Sequence, residues 1–284
     1  MNYLLLLTAT LGISAQDILR KYHDRRGTPP PGATMAFNLT ISVTVLLFFT
    51  AAAGFCIRPH IPTLPYALGF AAAYVLTMGF SMLAVSAGPL SLTSLVMACS
   101  MLLPAVHGSL FLKERFGTAN LIGLALLLCA LCLLCLDRKE HIEKRWYGYA
   151  AVMFFANGLC SIIQKIYQLE FAGSYKSEFM VFAMAAAAVV CLICLLVRQR
   201  RGAWRALMYV RCGAVGVGVG NAVVNLLVMY LSVRLPAAAM YPAMSGGSIL
   251  VSCLAARWLF HETISLQRKI GIGCGICAVV IMNL

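Results

Sequence analysis

The sequence predicts an all-α membrane protein with ten transmembrane helices arranged as two inverted five-helix repeats. Composition is the first reason. Hydrophobic residues make up 62% of the 284 residues and charged residues 11%, whereas a soluble domain has roughly 45–50% and 25%. Internal similarity is the second. Shifted by 148 positions, the chain matches itself at nine of the 48 positions from Leu83 to Ala130.

The spans follow from the apolar segments between the breaks. A helix needs about 20 apolar residues to cross a hydrocarbon core of about 30 Å. Five spans in each half give the second half the opposite direction in the membrane, and the halves are residues 1–137 and 146–284, joined by a basic linker at 138–145. The ten spans are residues 3–20, 33–57, 64–86, 89–112, 118–136, 147–167, 179–197, 207–232, 236–260 and 267–284.

Two turns separate spans that would otherwise be continuous. The stretch from Ile61 to Leu112 contains no Asp, Glu, Lys or Arg, and its 52 residues would form one helix far longer than the membrane is thick. Gly88-Pro89 predicts the break, because proline cannot donate to the preceding turn and glycine tolerates a tight connection. Residues 234–236 predict the equivalent break in the second half.

The first span has the length of a secretory signal peptide, but two features argue against cleavage. No Lys or Arg precedes the apolar run, as the positively charged start of a signal peptide would require. The segment also has a counterpart, since residues 11–14 resemble residues 157–160 of span six. We therefore expect the first span to remain part of the mature bundle.

The net charge of +13 lies in the loops rather than along one ordered face. This distribution argues against nucleic-acid binding and favours a lipid bilayer as the partner. The twelve cysteines include pairs with three-residue spacing, but these lie inside apolar helices without a neighbouring His or carboxylate. We expect them to pack between helices, and we expect no cofactor and no metal.

Polar residues within the spans form stripes at helical spacing. On span four, Thr93, Met97, Ser100, Pro104 and His107 are separated by four, three, four and three residues, which places them on one face. The 148-residue shift aligns the first four with Tyr241, Ser245, Ser248 and Ser252 of span nine. The two equivalent helices are therefore predicted to present equivalent, mostly polar faces.

Three further spans each add polar residues, and within each span these residues lie on one face of the helix. These are Tyr74 and Thr77 on span three, Asn221 and Asn225 on span eight, and Asn157, Ser161 and Gln164 on span six. A buried polar group must find a partner or line a wet cavity, so the stripes predict a substrate cavity near the midplane, between the halves. Hydrogen bonding between helices is the alternative for each residue, worth about 0.6 kcal/mol per bond.

Two titratable residues carry alternative interpretations. Asp17 is the only acid well within a span, and it would bind a proton, a cation or an amine, or else neutralise Arg20, Lys21 or Lys165. His107 would relay protons or form a structural hydrogen bond near a helix end. Proton coupling follows from the functional interpretation of either residue.

Two helix-turn-helix segments carry a resemblance to a known family. In the first half, Leu112-Lys113-Glu114-Arg115 is followed by Ile122-Gly123, and in the second, Phe260-His261-Glu262-Thr263 is followed by Ile270-Gly271. With their small-residue helices, these segments resemble the EamA-type transporters of the drug/metabolite transporter superfamily. The resemblance implies ten helices in two inverted repeats around a cavity lined by spans one, three, four, six, eight and nine.

The sequence thus favours a secondary transporter in the cytoplasmic membrane, exporting a small polar metabolite such as an amino acid by alternating access. Multidrug efflux is the alternative within this class, and a receptor or an intramembrane enzyme is less favoured, because no catalytic motif occurs at sensible spacing. A homodimer is compatible with the sequence. The predicted substrate-binding residues are Asp17, Tyr74, Thr77, Thr93, Met97, Ser100, His107, Asn157, Gln164, Asn221, Asn225, Tyr241, Ser245 and Ser248.

Overall fold

The computed structural model describes residues 2–24, 30–57, 60–88, 90–112, 117–135, 143–199 and 202–260, with separate residues between 270 and 281. The helices are α1 (Asn2–Asp24), α2 (Ala33–Ala52), α3 (Thr63–Ala87), α4 (Leu90–Cys99), α5 (Leu102–Phe111), α6 (Thr118–Cys135), α7 (Lys144–Glu170), α8 (Lys176–Gln199), α9 (Ala203–Ser232) and α10 (Ala237–Phe260). No strand occurs in these ranges, so the predicted all-α class is confirmed for them.

The helices correspond to the predicted spans in order. Helices α4 and α5 together occupy span four, so α6 to α10 occupy spans five to nine. Most of the tenth span and most of the linker at 138–145 lie outside the described residues, as do Glu114 and Glu262.

Five of the described helices, α2, α3, α7, α8 and α9, are long and apolar enough to cross a membrane. Large apolar side chains face outward from them, with Leu47 60%, Phe155 63% and Val197 79% exposed. Polar side chains such as Ser42 and Gln164 are buried. An apolar exterior with polar side chains in the interior suits a lipid solvent, and the chain is a multi-pass membrane protein.

Both predicted turns occur where the sequence places them. Helix α3 ends at Ala87, and Gly88 adopts an extended conformation (φ −167°, ψ −175°) before α4 begins at Leu90. Helix α9 ends at Ser232 and α10 begins at Ala237. These turns reverse the chain between adjacent membrane-length segments.

Span four differs from the continuous helix predicted, because it breaks at Ser100 and Met101. The amide of Ser100 is shared between the carbonyls of Val96 (3.1 Å) and Met97 (3.3 Å), and its hydroxyl donates to Met97 O (2.6 Å). Four residues later, Pro104 has no N–H to offer the Ser100 carbonyl, which accepts from Leu103 instead (3.1 Å). Proline and the competing serine hydroxyl account for the break.

The interior consists of closely packed helices. Helix α2 packs against α8 and α9, α3 against α7 and α8, and α1 against α9 and α10. Glycines permit the close approach of α1 and α9, since a Cβ at Gly220 would lie 3.0 Å from Gln16 Cγ and one at Gly216 would lie 3.5 Å from Leu19 Cδ1. Small residues at such interfaces are typical of membrane helix pairs.

Candidate functional site

Four amide side chains from three helices form a continuous hydrogen-bonded row, which we call the amide ladder. Asn221 Nδ2 on α9 donates to Gln16 Oε1 on α1 (3.3 Å), and Gln164 Nε2 on α7 donates to Asn225 Oδ1 on α9 (3.2 Å). Asn225 Nδ2 completes the row by donating to Asn221 Oδ1 and to Asn221 O, both at 2.9 Å. The ladder thus joins α1, α9 and α7 through their side chains.

The two glutamines of the ladder are buried, and its two asparagines are partly buried. Gln16 is 6% exposed and Gln164 is 4% exposed. Asn221 and Asn225 are four residues apart, so both face the same side of α9. A buried amide without a partner would pay its full desolvation penalty, and here each amide uses its neighbour as that partner.

The directions of the helices determine what lies at the two ends of the ladder. Helix α1 runs antiparallel to α9, because a Cβ at Gly12 would meet Val224 and a Cβ at Gly216 would meet Leu19. Helix α7 runs parallel to α9, because Gln164 bonds to Asn225 and the Gly173 segment meets Val233. The residue one turn after Gln16 on α1 and the residue one turn after Gln164 on α7 therefore lie beyond opposite ends of the ladder.

Unpartnered polar atoms occur at both ends. Arg20 lies one turn beyond Gln16, and its buried Nε has no hydrogen-bond partner among the described residues. Gln168 lies one turn beyond Gln164, is 0% exposed, and has no partner for either Nε2 or Oε1 within the same part of the chain. Unpartnered buried polar atoms thus lie one turn beyond each end of the ladder.

Two serines at equivalent positions of the halves accept hydrogen bonds across the interface. Ser100 of the first half accepts from the second half, and Ser248 of the second half accepts from the first half. Asn157 Nδ2 on α7 donates to Ser100 Oγ at the α4–α5 break (2.6 Å). Ser14 Oγ on α1 donates to Ser248 O on α10 (3.0 Å). Ser100 and Ser248 are 148 positions apart, so the two accepting residues are counterparts, although their donors Asn157 and Ser14 are not.

Two further predicted residues of α10 bond to other helices, Tyr241 within the second half and Ser245 across to the first half. Tyr241 OH donates to Ser161 O on α7 (3.1 Å), and Ser245 Oγ donates to Ala98 O on α4 (3.1 Å). Both side chains are buried. They attach α10 of the second half to the broken span four of the first half and to α7.

The remaining predicted residues lie apart from the ladder's hydrogen bonds. On α3, Thr77 Oγ1 donates to Ala73 O of its own helix (2.9 Å), and the buried ring of Tyr74 stacks on Phe70 with centroids 6.3 Å apart. On α4, Thr93 Oγ1 accepts from the indole Nε1 of Trp146 (3.0 Å).

Three other predicted residues are less enclosed. Met97 is partly buried, and its carbonyl accepts from Ser100. The ring of His107 stacks on Phe111 with centroids 4.9 Å apart, and Asp17 is exposed on α1. Each of these residues has an interaction within its own surroundings, and none takes part in the bonds that define the ladder.

Sequence reasoning missed Gln16, Ser14 and Trp146, whose side chains bond across helices here. For Gln16, a signal was present, because the 148-residue shift aligns it with Gln164 and aligns Arg20 with Gln168. For Trp146 no such pattern was available, since its partner Thr93 is distant in the sequence.

A cavity of about 190 Å³ lies between the start of α2 and the ends of α3 and α8. Its lining includes Gly32, Met82, Arg198 and Gln199. Over the described part of the chain, no three His, Cys, Asp or Glu side chains come together as metal ligands.

The chain matches no family model and no curated protein. Among solved structures, 29 chains match it. One of them, a protein solved by crystallography, has 17% sequence identity to this chain and superposes on it with a TM-score of 0.73. The match covers 99% of this chain and 96% of the other. At this identity the likeness shows that the two chains share a fold over nearly their whole lengths.

Proposed function

We propose that this protein is a secondary transporter that moves a small polar metabolite across the cytoplasmic membrane by alternating access. In this proposal, ten helices form two inverted five-helix repeats, as in the EamA-type transporters that the sequence resembles. The substrate passes along the interface between the halves, and the protein has no catalytic activity.

The pattern of helix contacts supports two related halves. Replacing each helix by its counterpart 148 positions away converts the α3–α7 pair into α9–α1, and the α2–α9 pair into α8–α3. The α10–α1 pair corresponds to the packing of α4 and α5 against α7, and the α2–α8 and α5–α10 pairs are their own counterparts. A twofold axis in the membrane plane, which relates inverted repeats, would produce this pattern.

The amide ladder is the observation that carries the functional proposal. It links α1 of the first half to α7 and α9 of the second, and repeat transporters bind their substrates at such an interface between repeats. Intramembrane polar groups are costly, and amide side chains that bond to one another can exchange those bonds for bonds to a polar substrate. Four amides, with no buried carboxylate among the described residues, suit a polar metabolite better than a lipophilic dication.

Flux into proteoliposomes tests the proposal. Purified protein is reconstituted, and uptake is measured for labelled L-amino acids and for a lipophilic dication, with and without an imposed pH gradient. We expect saturable uptake of at least one amino acid, and loss of at least about tenfold in rate when Asn221 and Asn225 are both changed to Leu.

The matched control is Asn38→Leu, which makes the same change at a buried position of α2. Uptake that survives the double change but not the control would refute the assigned site. Uptake of the dication alone would indicate drug efflux instead. A folded protein that moves none of these compounds would refute transport of either class.

A further inference from the structure

The cavity of about 190 Å³ between α2, α3 and α8 combines a cationic side chain with apolar ones. Its lining residues come from the start of α2, the end of α3 and the end of α8, and they are Gly32, Thr34, Met35, Met82, Arg198 and Gln199. A water molecule takes up about 30 Å³ of the liquid, so the cavity has room for a group several times that size. Its chemistry suits a ligand with an anionic part and an apolar part.

Positive charge is concentrated at the end of the bundle that holds the cavity. Helix α8 ends here and α9 begins here, and a Cβ on Gly88, after α3, would meet Trp146 near the start of α7. The exposed cationic side chains at these helix ends are Lys144, Arg145, Arg198 and Arg205, and Glu143 is an exposed acid beside them. At the opposite end, the α7–α8 and α9–α10 segments carry Glu170 and Glu178 as well as Lys176 and Arg234. Clustered positive charge raises the local concentration of anionic groups.

Helix α2 adds hydrogen-bond donors to the cavity. Its N-cap residue is Gly32, which has no side chain to bond to the first turn. The Ala33 N–H donates to Pro30 O (3.0 Å), but within the described part of the chain the N–H groups of Thr34 and Met35 have no backbone acceptor. Both residues line the cavity, and unpaired amides of a first helical turn favour an anion.

The cavity also adjoins a surface that faces lipid. Leu196 and Val197 directly precede Arg198 on α8, and they are 45% and 79% exposed. Arg198 itself is exposed in the last turn of this membrane-length helix. A cation at the end of an apolar helix lies at the level of the lipid head groups. A molecule that fills the cavity can therefore keep its apolar part in the bilayer.

We propose that this cavity binds the phosphate group of an anionic phospholipid from the adjoining leaflet, and we name it the head-group site. The Arg198 guanidinium forms charge-assisted hydrogen bonds with the phosphate oxygens. The Gln199 amide and the first turn of α2 donate further bonds. Met35 and Met82 contact the glycerol and the start of the acyl chains. Basic pockets between transmembrane helices bind anionic head groups in this manner.

The head-group site is separate from the proposed transport path. Its lining residues belong to α2, α3 and α8, whereas the amide ladder belongs to α1, α7 and α9. Lipid binding at the site is therefore independent of transport, and the two can be tested separately.

Thermal unfolding of the delipidated protein in an uncharged detergent tests the head-group site. Four additives are compared, namely a phosphatidylglycerol, a phosphatidylcholine with the same acyl chains, glycerol 3-phosphate and inorganic phosphate. We expect saturable stabilisation by the phosphatidylglycerol, at a concentration at least about tenfold lower than any of the other three requires. The choline cation offsets the phosphate charge of the second lipid, and the two soluble compounds lack acyl chains.

A pair of arginine variants separates the site from general surface charge. Arg198→Gln should weaken phosphatidylglycerol binding by at least about tenfold, because it removes the charge-assisted bonds to the phosphate. Arg205→Gln is the matched control, since it removes the same charge from an exposed residue at the same end that does not line the cavity. Equal losses in the two variants would overturn the site.

A second position places a carboxylate in the cavity. Thr34 is exposed in the first turn of α2, where a negative charge stabilises a helix. Thr34→Glu should raise the midpoint of thermal unfolding without lipid and abolish the response to phosphatidylglycerol, while the uncharged Thr34→Gln should retain that response. The inference is overturned if Thr34→Glu responds as the wild-type protein does, or if phosphatidylcholine stabilises as well as phosphatidylglycerol. Inorganic phosphate acting at the same concentration as the lipid would show a site for free phosphate instead.

Discussion

Gln16 and Gln164, 148 positions apart in the chain, hydrogen-bond to the two asparagines on one face of α9. Gln16 bonds to Asn221 and Gln164 to Asn225, at 3.3 and 3.2 Å. One helix of the second half thus serves as the common partner for equivalent residues of both halves. The arrangement is asymmetric, because Ala73 and Thr77, the counterparts of the asparagines, offer no second pair of amides.

Removing one amide should reveal this coupling. Asn225→Leu leaves the Gln164 amide without its acceptor, and we expect the free energy of unfolding in detergent to fall by about 1–3 kcal/mol. Gln164→Leu should lower the free energy of unfolding less in the Asn225→Leu variant than in the wild-type protein, because in the variant the Gln164 amide has already lost its partner. Strictly additive losses in a denaturant titration would show that the two amides are not coupled.

The contact between α1 and α10 predicts a substitution and its rescue. A Cβ at Gly247 would lie 2.7 Å from Thr10 Cγ2, while Thr10 Oγ1 would be 3.8 Å away. Gly247→Ala should therefore destabilise the protein by about 1–3 kcal/mol through overpacking. Thr10→Ser removes the clashing methyl and keeps a hydroxyl for its bond to Leu6 O, so the double variant should recover most of the loss.

Gly79 in α3 supplies the control for that experiment. A Cβ there meets nothing within 4 Å, so Gly79→Ala should be neutral or stabilising by up to about 1 kcal/mol. Thermal unfolding of the four proteins in one detergent makes the comparison. Equal losses at the two glycines would contradict the close contact.

The break in span four should depend on Pro104. Pro104→Ala supplies the missing N–H to the Ser100 carbonyl, and proline in a helix interior costs about 3 kcal/mol relative to alanine. We expect higher thermal stability and slower hydrogen exchange at residues 100–104, together with slower transport if the break acts as a hinge. Exchange that is unchanged would show that the Ser100 hydroxyl alone maintains the break.

An aromatic cluster outside the ladder gives a prediction about stability alone. Tyr167 is 0% exposed, and its hydroxyl bonds with Thr63 Oγ1 (2.9 Å) and donates to Tyr175 O (3.3 Å). Tyr167→Phe should lower the free energy of unfolding by about 1–2 kcal/mol, whereas Tyr147→Phe, at a residue 61% exposed, should have little effect. Chemical denaturation followed by tryptophan fluorescence measures both.

Sequence reasoning was most successful where the signal lies within one helix or one turn. The breaks predicted at Gly88-Pro89 and at 234–236 follow from local backbone chemistry, and the pair Asn221 and Asn225 follows from a four-residue spacing. The break at Ser100 was missed, because the apolar run around Pro104 suggested a continuous span.

Partners on other helices could not be predicted in the same way. Whether Gln16 meets Asn221, or Trp146 meets Thr93, depends on how far each helix is rotated and how closely it approaches its neighbour. Hydrophobic periodicity normally reports that rotation, but it is weak here because lipid-facing and buried positions are both apolar. The internal repeat was the one source of long-range information in the sequence.

The outward-facing apolar side chains have a thermodynamic consequence. Because Leu47, Phe155 and Val197 already contact hydrocarbon in the native protein, unfolding within lipid or detergent transfers little apolar surface to water. The heat-capacity increment of unfolding should therefore be small, and stability should vary with temperature along a flatter curve than that of a soluble protein of this size. Cooling would then not unfold the protein, and the stability of the helix bundle would depend on close packing and on interior polar contacts.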